Sequence, residues 1–402
     1  MPIVNRIAAF QDEMTEWRRH LHAHPELGFE EHATSAFVAR KLREFGVDEV
    51  HTGLAATGVV GVLRAGSGQG SIGLRADMDA LPIQEETGAA WASTVPGKMH
   101  ACGHDGHTAM LLGAARYLAE TRNFTGTVYL IFQPAEELGG EGTSGGSRMV
   151  AEGLFDRFPA ERVFGLHNWP ELPPGQFAMC SGPSMAAVDE FTLTLRGKGG
   201  HAAMPHQCRD TLLAGCQIVH ALQSIVAREL DPIDRAVVSV TRFHCGTAFN
   251  VIAETAEIGG TVRTFKPETR AMIERRLEAI AGAIGAAFGV TVTMAFERGY
   301  PPTVNDAAMA ALGADVAAEI VGDAAVDRAP EPVMGAEDFA FMLEKVPGAY
   351  IWMGMGGGPA GRYCHTPIYD FDDATLPIGA SYWARLAERL LPVFRSTAAP
   401  ER

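Results

Sequence analysis

The chain has 402 residues, of which 47% are hydrophobic and 20% are charged, a composition typical of a globular protein with two or three domains. The formal net charge of -15 arises without a long run of one sign, which argues against a nucleic-acid partner and against an anionic membrane surface. No segment reaches about 18 uninterrupted apolar residues, and the N-terminus lacks the apolar core of a secretion signal. We therefore expect a cytoplasmic protein whose six cysteines are free thiols.

Helical and strand patterns alternate over the first 180 or so residues. Apolar residues at helical spacing predict helices, and short apolar runs predict buried strands. In chain order, the pattern predicts a helix over 34–46, strands over 58–64 and 71–77, a helix over 108–120, and strands over 127–133 and 161–167. This alternation is typical of an α/β fold in which helices flank a mostly parallel sheet.

A different order of elements follows from about residue 186. The pattern predicts strand 190–197, helix 210–230, strands 236–246 and 255–264, helix 267–289 and strand 290–300. This βαββαβ order is that of the ferredoxin-like α+β fold. The pattern of the first 180 residues then returns, with a strand at 350–358 and a final helix at 380–394. We therefore predict an inserted domain, 186–296, within a catalytic domain made of 1–185 and 297–402.

Side chains that could carry chemistry follow several of the predicted strands of the first domain. They are Asp77, Asp79, Glu136, Glu137, His167 and His365. In an open α/β sheet, ligands bind beyond the carboxyl ends of the strands. Since these strand ends come from distant parts of the sequence, we predict that they share one site.

The stretch GKMHACGHDGHTAML adds further candidate ligands to this site. Asp105 is the predicted N-cap of the next helix, so Cys102 and His104 fall in the preceding loop, on one side of an extended backbone. Thiolate, imidazole and carboxylate together suit zinc and neighbouring transition ions, and the mixture is unlike a closed structural site rich in cysteine. We interpret His100 and His107 as structural or supporting residues, because the nearer donors suffice.

Each candidate also has an ordinary explanation. A lone Cys-x-His pair is usually accidental, a Glu-Glu pair can begin a solvated helix, and a histidine can be satisfied in a core. The coincidence at several strand ends favours a metal site. With Glu137 as a ligand, Glu136 would stay free to take a proton from water and pass it to a leaving amine, which predicts amide hydrolysis.

The sequence resembles the M20 metallopeptidase family, in particular its aminoacylase and hippurate hydrolase branch. The matching stretches include RRHLHAHPELGFEE, RADMDALP, MHACGHDGHTAMLLGAA, FQPAEE, GLHNWP, GKGGHAAMPH, NVIAETAEIGGTVRT, GAEDFAFML and CHTP. The resemblance implies hydrolysis of N-acyl amino acids, either hippurate-like or N-acetylated, with N-acetyl-diaminopimelate or a small peptide as alternative substrates. Other classes left open are a ligand-binding relative without catalysis and a redox role for Cys102, which lacks a Cys-x-x-C partner.

The resemblance also implies a site with two divalent metal ions, which would be manganese, zinc, cobalt or nickel. Its metal ligands would be Cys102, His104, Glu137, His167 and His365, with Glu136 as general base. Asp77 would orient a ligand or bridge the metals, whereas Asp79 would be structural. Arg75 stands where related peptidases have a histidine, so His104 would be the compensating ligand.

In this family the inserted domain serves as lid and dimerisation module, which implies a homodimer or homotetramer. His201 would donate to the oxyanion, with His206 as the alternative. Asn250 and Arg263 would hold the substrate carboxylate, a task that suits the planar guanidinium, although an ordinary salt bridge on the strand surface could also explain Arg263. Ala253 stands where family members commonly have proline, which bears on the backbone around Asn250.

Overall fold

A computed structural model of the protein describes residues 3–140, 142–357 and 361–393. Its helices are α1 (Asn5–Ala8), α2 (Gln11–Ala23), α3 (His32–Glu44), α4 (His104–Thr121), α5 (Gly145–Ala151), α6 (Leu154–Arg157), α7 (Thr211–Leu222), α8 (Pro267–Ala287), α9 (Ala307–Val321), α10 (Ala340–Leu343) and α11 (Leu376–Leu390). Its strands are β1 (Glu49–Leu54), β2 (Gly58–Ala65), β3 (Ser71–Asp77), β4 (Gly126–Gln133), β5 (Arg162–Trp169), β6 (Phe177–Ala178), β7 (Gly182–Met185), β8 (Ala187–Arg196), β9 (Gly200–His201), β10 (Ala236–Cys245), β11 (Val251–Ile252), β12 (Thr255–Thr264), β13 (Thr291–Arg298), β14 (Thr303–Asn305), β15 (Val326–Asp327) and β16 (Gly348–Gly354). None of the helices in the described ranges is both long and apolar enough to cross a membrane.

These elements divide into two compact units. The first consists of Met1–Ser184, Val304–Glu331 and Asp338–Arg402, and the second of Met185–Thr303 and Pro332–Glu337. The predicted inserted segment, 186–296, lies within the second unit, which continues beyond it because β13 runs to Arg298.

The first unit is built on an eight-stranded sheet with the order β1-β2-β4-β3-β5-β16-β6-β15. Strand β3 runs parallel to β4 and β5, and β5 runs parallel to β16, whereas β1, β2 and β4 form antiparallel pairs. Strands β3 and β16 are buried along their whole length, as expected where helices cover both faces of a sheet. The predicted α/β class with a mostly parallel central sheet is confirmed.

Helix α4 forms the centre of the helical layer and places its first residues at the end of β3. It packs against α2 and α11, and its apolar residues from Ala109 to Leu112 are fully buried. The Thr108 hydroxyl donates to the Asp77 carbonyl at 2.9 Å, which ties the first turns of α4 to the carboxyl end of β3. The packing thus carries the segment around Cys102 to the predicted edge of the sheet.

The second unit contains a four-stranded antiparallel sheet with the order β10-β12-β8-β13. Helices α7 and α8 pack against the sheet, and Ile273, Leu277 and Ala281 of α8 are buried at the spacing of one helical turn. The order β8-α7-β10-β12-α8-β13 is the predicted βαββαβ pattern. The ferredoxin-like prediction for this segment is therefore confirmed.

Three helix boundaries differ from the sequence predictions. Helix α4 begins at His104, so Asp105 is not its N-cap; the Asp105 carboxylate is instead buried against His22. The predicted helix 210–230 ends at Leu222 and continues only as a short π-helical turn. The last helix ends at Leu390, and residue 394, with which we expected it to end, lies outside the described residues.

Candidate metal centre and active site

The carboxyl ends of β3, β4 and β5 bring the predicted ligands of the first unit together. Two groups of potential metal-binding side chains share Cys102, and in each group the ligand atoms all lie within 4.8 Å of one another. The groups are Cys102 with His104 and His167, and Cys102 with Glu137 and His365. All five predicted ligands therefore belong to one continuous cluster, although they are spread over more than 260 residues of sequence.

Two histidines of the cluster present Nε2 to another predicted ligand. His167 Nδ1 donates to the Asn168 carbonyl at 2.6 Å, while its Nε2 lies 3.4 Å from Cys102 Sγ. His365 Nε2 lies 3.1 Å from Glu137 Oε1. Donors bound tetrahedrally to one ion at about 2.0–2.3 Å would be separated by about 3.3–3.8 Å, so both pairs are close to the separation of ligands that share a cation.

Two buried atoms of the cluster lack a conventional partner. Among the described residues, His104 Nε2 and Glu137 Oε1 have no hydrogen bond, although Glu137 Oε1 is close to His365 and His104 Nε2 lies 3.8 Å from Asp77 Oδ2. Buried polar atoms are nearly always satisfied, so two such atoms facing one cluster fit the coordination of a cation. The residues present therefore fit the divalent metal ions implied by the sequence.

The electrostatics of the cluster also favour positive charge. Burial lowers the pKa of His104, but the carboxylates of Asp77 and Asp79 outweigh this effect and raise the pKa to about 10. The neighbouring Cys364 thiol and burial raise the pKa of Cys102, and the Glu137 carboxylate adds to this effect. A cation would satisfy this negative environment and stabilise Cys102 as a thiolate.

Asp77 is held by an array of fully buried groups below the cluster. Arg75 Nη1 donates to Asp77 Oδ2 at 2.7 Å, and His107 Nδ1 donates to Asp77 Oδ1 at 2.6 Å. Because the Asn168 backbone N–H donates to His107 Nε2 at 3.0 Å, the neutral His107 ring must carry its proton on Nδ1. His107 thus links Asp77 to the residue that follows the predicted ligand His167, consistent with the supporting role expected for it.

Arg75 makes contacts that the sequence does not predict. Its Nε donates to Gln133 Oε1 at 2.9 Å, and its Nη2 donates to Asp338 Oδ1 at 3.0 Å. Asp338 also accepts from Gln133 Nε2 and from the Gly146 backbone N–H. Gln133 and Asp338 lie in the stretches FQPAEE and GAEDFAFML, so the family resemblance included them but gave no reason for their presence.

The two adjacent glutamates lie on a short 3-10 turn, Glu136–Leu138, directly after β4. Asp79 Oδ2 accepts from the Glu137 backbone N–H at 2.9 Å, and Asp79 Oδ1 accepts from His104 Nδ1 at 3.2 Å. Asp79, expected to be structural, therefore contacts two of the predicted ligands directly. Glu136 is buried and shares a group of nearby ligand atoms with His104 and Glu137, so it lies beside the cluster as expected for the base.

His100 and Asp105 lie behind the cluster in the core. Burial lowers the pKa of His100 to about 4, and neither of its ring nitrogens has a hydrogen bond among the described residues. Asp105 accepts from His22 Nδ1 at 2.8 Å, and Arg18 Nη1 lies 3.7 Å from the same oxygen. This ion pair explains why Asp105 does not cap α4.

The remaining predicted residues belong to the second unit. His201 is exposed on β9, which pairs with β11, and His206 and Asn250 are exposed in the neighbouring turns. Arg263 is half-buried on β12, where burial lowers its pKa although Glu190 and Asp189 oppose this effect. Among the described residues, no ion pair joins Arg263 to a carboxylate, and the nearby Asp189 pairs with Arg270 instead, which argues against the ordinary salt-bridge explanation.

The chain is similar to proteins of known family along nearly its whole length. Residues 73–389 match the profile of peptidase family M20/M25/M40. A hippurate hydrolase of Campylobacter jejuni is 40% identical over 97% of this chain and 100% of that protein. An N-acetylcysteine deacetylase of Bacillus subtilis is 38% identical over 96% of this chain and 99% of that protein.

The fold is similar as well. A solved Bacillus subtilis structure, described as a dinuclear metal-binding peptidase from the M20 family, matches with a TM-score of 0.83 and 36% identity. The match covers 96% of this chain and 99% of that one. The resemblance expected from the motifs is thus confirmed: the chain belongs to peptidase family M20/M25/M40 and is a hydrolase that acts on amide bonds.

Proposed function

We propose that the protein hydrolyses the amide bond of N-acyl amino acids, hippurate-like or N-acetylated, to a carboxylic acid and an amino acid. The observation that carries this proposal is the convergence of thiol, imidazole and carboxylate donors with Glu136 beside them. The relatives named hippurate hydrolase and N-acetylcysteine deacetylase support the substrate class. N-acetyl-diaminopimelate and small peptides are the alternative substrates.

The residues of the cluster would hold two divalent cations, which we propose to be manganese, zinc, cobalt or nickel. Cys102, His104 and His167 would bind one cation, and Glu137 and His365 would bind the other together with Cys102. When bound, the cations would supply Lewis acidity that activates water and polarises the acyl carbonyl. Asp77 would fix the ligand shell through His107.

Glu136 would carry the proton between the two halves of the reaction. As a carboxylate it would accept a proton from the attacking water, and as a carboxylic acid it would donate that proton to the leaving amine nitrogen. Its position next to Glu137 supports this role, because the backbone of the turn holds both side chains near the same group of donors.

The second unit would supply substrate contacts. His201, or alternatively His206, would donate to the developing oxyanion, and the Arg263 guanidinium with Asn250 would hold the substrate carboxylate. The half-buried Arg263, with no ion-pair partner among the residues described, supports this assignment. Lid and dimerisation roles for this unit, a homodimer or homotetramer, and a cytoplasmic location stay predictions.

Glu136→Gln tests the proposal most simply. The variant is expected to keep the metal content of the wild type and to lose about 10²- to 10⁴-fold in kcat on an N-acyl amino acid, because the amide cannot accept the proton. Glu161→Gln makes the same chemical change at an exposed glutamate that belongs to none of the groups of potential metal ligands among the described residues, so it serves as the matched control and should retain full activity. A Glu136→Gln protein as active as the wild type would overturn the assignment of the base.

Substrate class and metal dependence are tested on the wild type. A panel of N-benzoyl and N-acetyl amino acids, N-acetyl-diaminopimelate and dipeptides, measured on metal-reconstituted protein, separates the proposed substrates from the alternatives. Chelation is expected to abolish activity, and one of the four named metals is expected to restore it. Full activity after complete removal of metal would contradict the proposal.

A further inference from the structure

An N-terminal segment, Glu26–Glu31, packs directly against the turn that carries the two glutamates. Leu27 forms a parallel bridge with Ala80, and the Ala80 N–H donates to the Glu26 carbonyl at 2.8 Å. A Cβ on Gly28 would lie only 2.8 Å from Leu138 Cγ and 3.0 Å from Ala135 Cβ, so the lack of a side chain permits this close approach. The segment belongs to the stretch PELGFEE, for which the sequence predicts no function.

The last residue of this segment reaches the turn with its carboxylate. Glu31 is fully buried; its Oε1 accepts from the Ala135 backbone N–H at 2.8 Å, and its Oε2 accepts from Thr57 Oγ1 at 2.6 Å. Burial raises the pKa of Glu31 to about 7, against the hydrogen bond from Thr57. Both oxygens of the Glu31 carboxylate therefore accept a hydrogen bond, one from a backbone N–H and one from a hydroxyl group.

Ala135 is the residue at which the chain turns from β4 toward Glu136. Its φ of 50° lies in the left-handed region, which residues with a side chain rarely adopt. Such a conformation persists where its surroundings fix it. Here Glu31 accepts from its N–H, and its carbonyl accepts from the Gly145 N–H at 2.9 Å.

Two buried carboxylates therefore anchor the turn on either side of Glu136. Glu31 holds the N–H of the residue before it, and Asp79 holds the N–H of Glu137 after it. We propose that Glu31 is a positioning residue that, by accepting from the Ala135 N–H, fixes the direction in which the Glu136 and Glu137 side chains leave the turn. The catalytic part of this inference rests on the proposed function, whereas the anchoring of the turn does not.

Three substitutions of Glu31 separate the effect of side-chain length from the effect of charge. Glu31→Gln keeps the length and an acceptor oxygen but removes the charge, whereas Glu31→Asp keeps the charge but is one methylene too short to reach the Ala135 N–H. Glu31→Leu removes the acceptor with little change in volume. Glu26→Ala is the matched control in the same segment, because the Glu26 carboxylate instead accepts from the Ala33 and Thr34 N–H groups at the start of α3.

The variants are compared by kcat and KM on an N-acyl amino acid, by affinity for manganese, and by hydrogen exchange of the peptide that contains Ala135. We expect Glu31→Gln to stay within about threefold of the wild type in all these measurements. Glu31→Asp and Glu31→Leu should lose about 10- to 100-fold in kcat and in manganese affinity, with faster exchange at Ala135. KM should change little, because a fully buried Glu31 offers no surface to a substrate.

Glu26→Ala should melt at a lower temperature but keep wild-type kcat, manganese affinity and exchange at Ala135. If Glu31→Asp matched the wild type, or if Glu31→Gln were as impaired as Glu31→Leu, positioning by this hydrogen bond would be refuted. If Glu31→Leu did not fold, the comparison of Glu31→Gln with Glu31→Asp would still decide. Should the wild type turn over no N-acyl amino acid, the proposed function would fail, while manganese affinity and exchange would still judge the anchoring of the turn.

Discussion

Gly103, between the predicted ligands Cys102 and His104, is a position where a single methyl group should disturb the metal centre. Its φ of 89° lies in the left-handed region, and an added Cβ would lie 2.1 Å from Asn168 Oδ1 and 2.4 Å from the Tyr369 hydroxyl oxygen. Both neighbours are buried, so they cannot swing into solvent. Gly103→Ala must therefore strain the backbone and also displace Asn168 or Tyr369.

The expected loss of stability has two parts. A left-handed conformation at a residue other than glycine costs about 1–2 kcal/mol, and overpacking of a closely packed interior typically costs about 1–3 kcal/mol. Together they lower the free energy of unfolding by about 2–5 kcal/mol. Gly97→Ala is the matched control, because Gly97 has a φ of 75° but no atom within 4 Å of an added Cβ, so only the first part applies.

Metal binding should separate the two variants further. The Asn168 backbone accepts from His167 and donates to His107, so a displaced Asn168 would move a predicted ligand and the support of Asp77. We expect Gly103→Ala to bind manganese about 10- to 100-fold more weakly than the wild type, and Gly97→Ala to bind it normally. Urea unfolding and manganese titration measure the two effects. Equal stability and equal manganese affinity in the two variants would refute the reasoning.

Two further predictions concern buried charges beneath the cluster. Burial lowers the pKa of His22, but the Asp105 carboxylate outweighs this effect and raises the pKa to about 9. The protonated ring therefore stabilises the fold fully below about pH 6.5, and this stabilisation is lost as the pH rises to about 9. His22→Gln should therefore be less stable than the wild type by about 3 kcal/mol at pH 6. Urea unfolding at rising pH should show this gap closing between about pH 6.5 and 9, whereas a constant gap would contradict the prediction. Arg75→Met removes the guanidinium that pairs with Asp77 and Asp338 and should lower the free energy of unfolding by about 3–5 kcal/mol. Arg75→Lys should restore little of this loss, because an ammonium group cannot reproduce the planar guanidinium contacts. Denaturant midpoints equal to that of the wild type would count against this role.

The arrangement of strands and predicted ligands could be anticipated because it follows from local rules. Period-two and helical patterns identified the elements, and the meeting of strand ends at one edge then grouped His167 and His365 with the two glutamates. The ferredoxin-like unit was predictable for the same reason, because its βαββαβ order follows from six successive strand and helix patterns in the sequence.

The contacts that orient the site could not be read from the sequence. Asp105 has the residue type of an N-cap, but its pairing with His22, 83 residues away, takes its carboxylate into the core. The sequence predicts only a structural role for Asp79 and no role for Glu31, and only the folded backbone brings their carboxylates to the N–H groups on either side of Glu136. Local pattern carries no information about such long-range pairings of buried polar groups.

The central claim is that donors from distant parts of the chain hold cations in the first unit. Anomalous diffraction from crystals of the manganese-loaded protein tests it directly. We expect two peaks, one within about 2.0–2.4 Å of donor atoms of Cys102, His104 and His167, and one at a similar distance from donor atoms of Cys102, Glu137 and His365. The absence of a peak among these five side chains, in a protein that still hydrolyses its substrate, would contradict the claim.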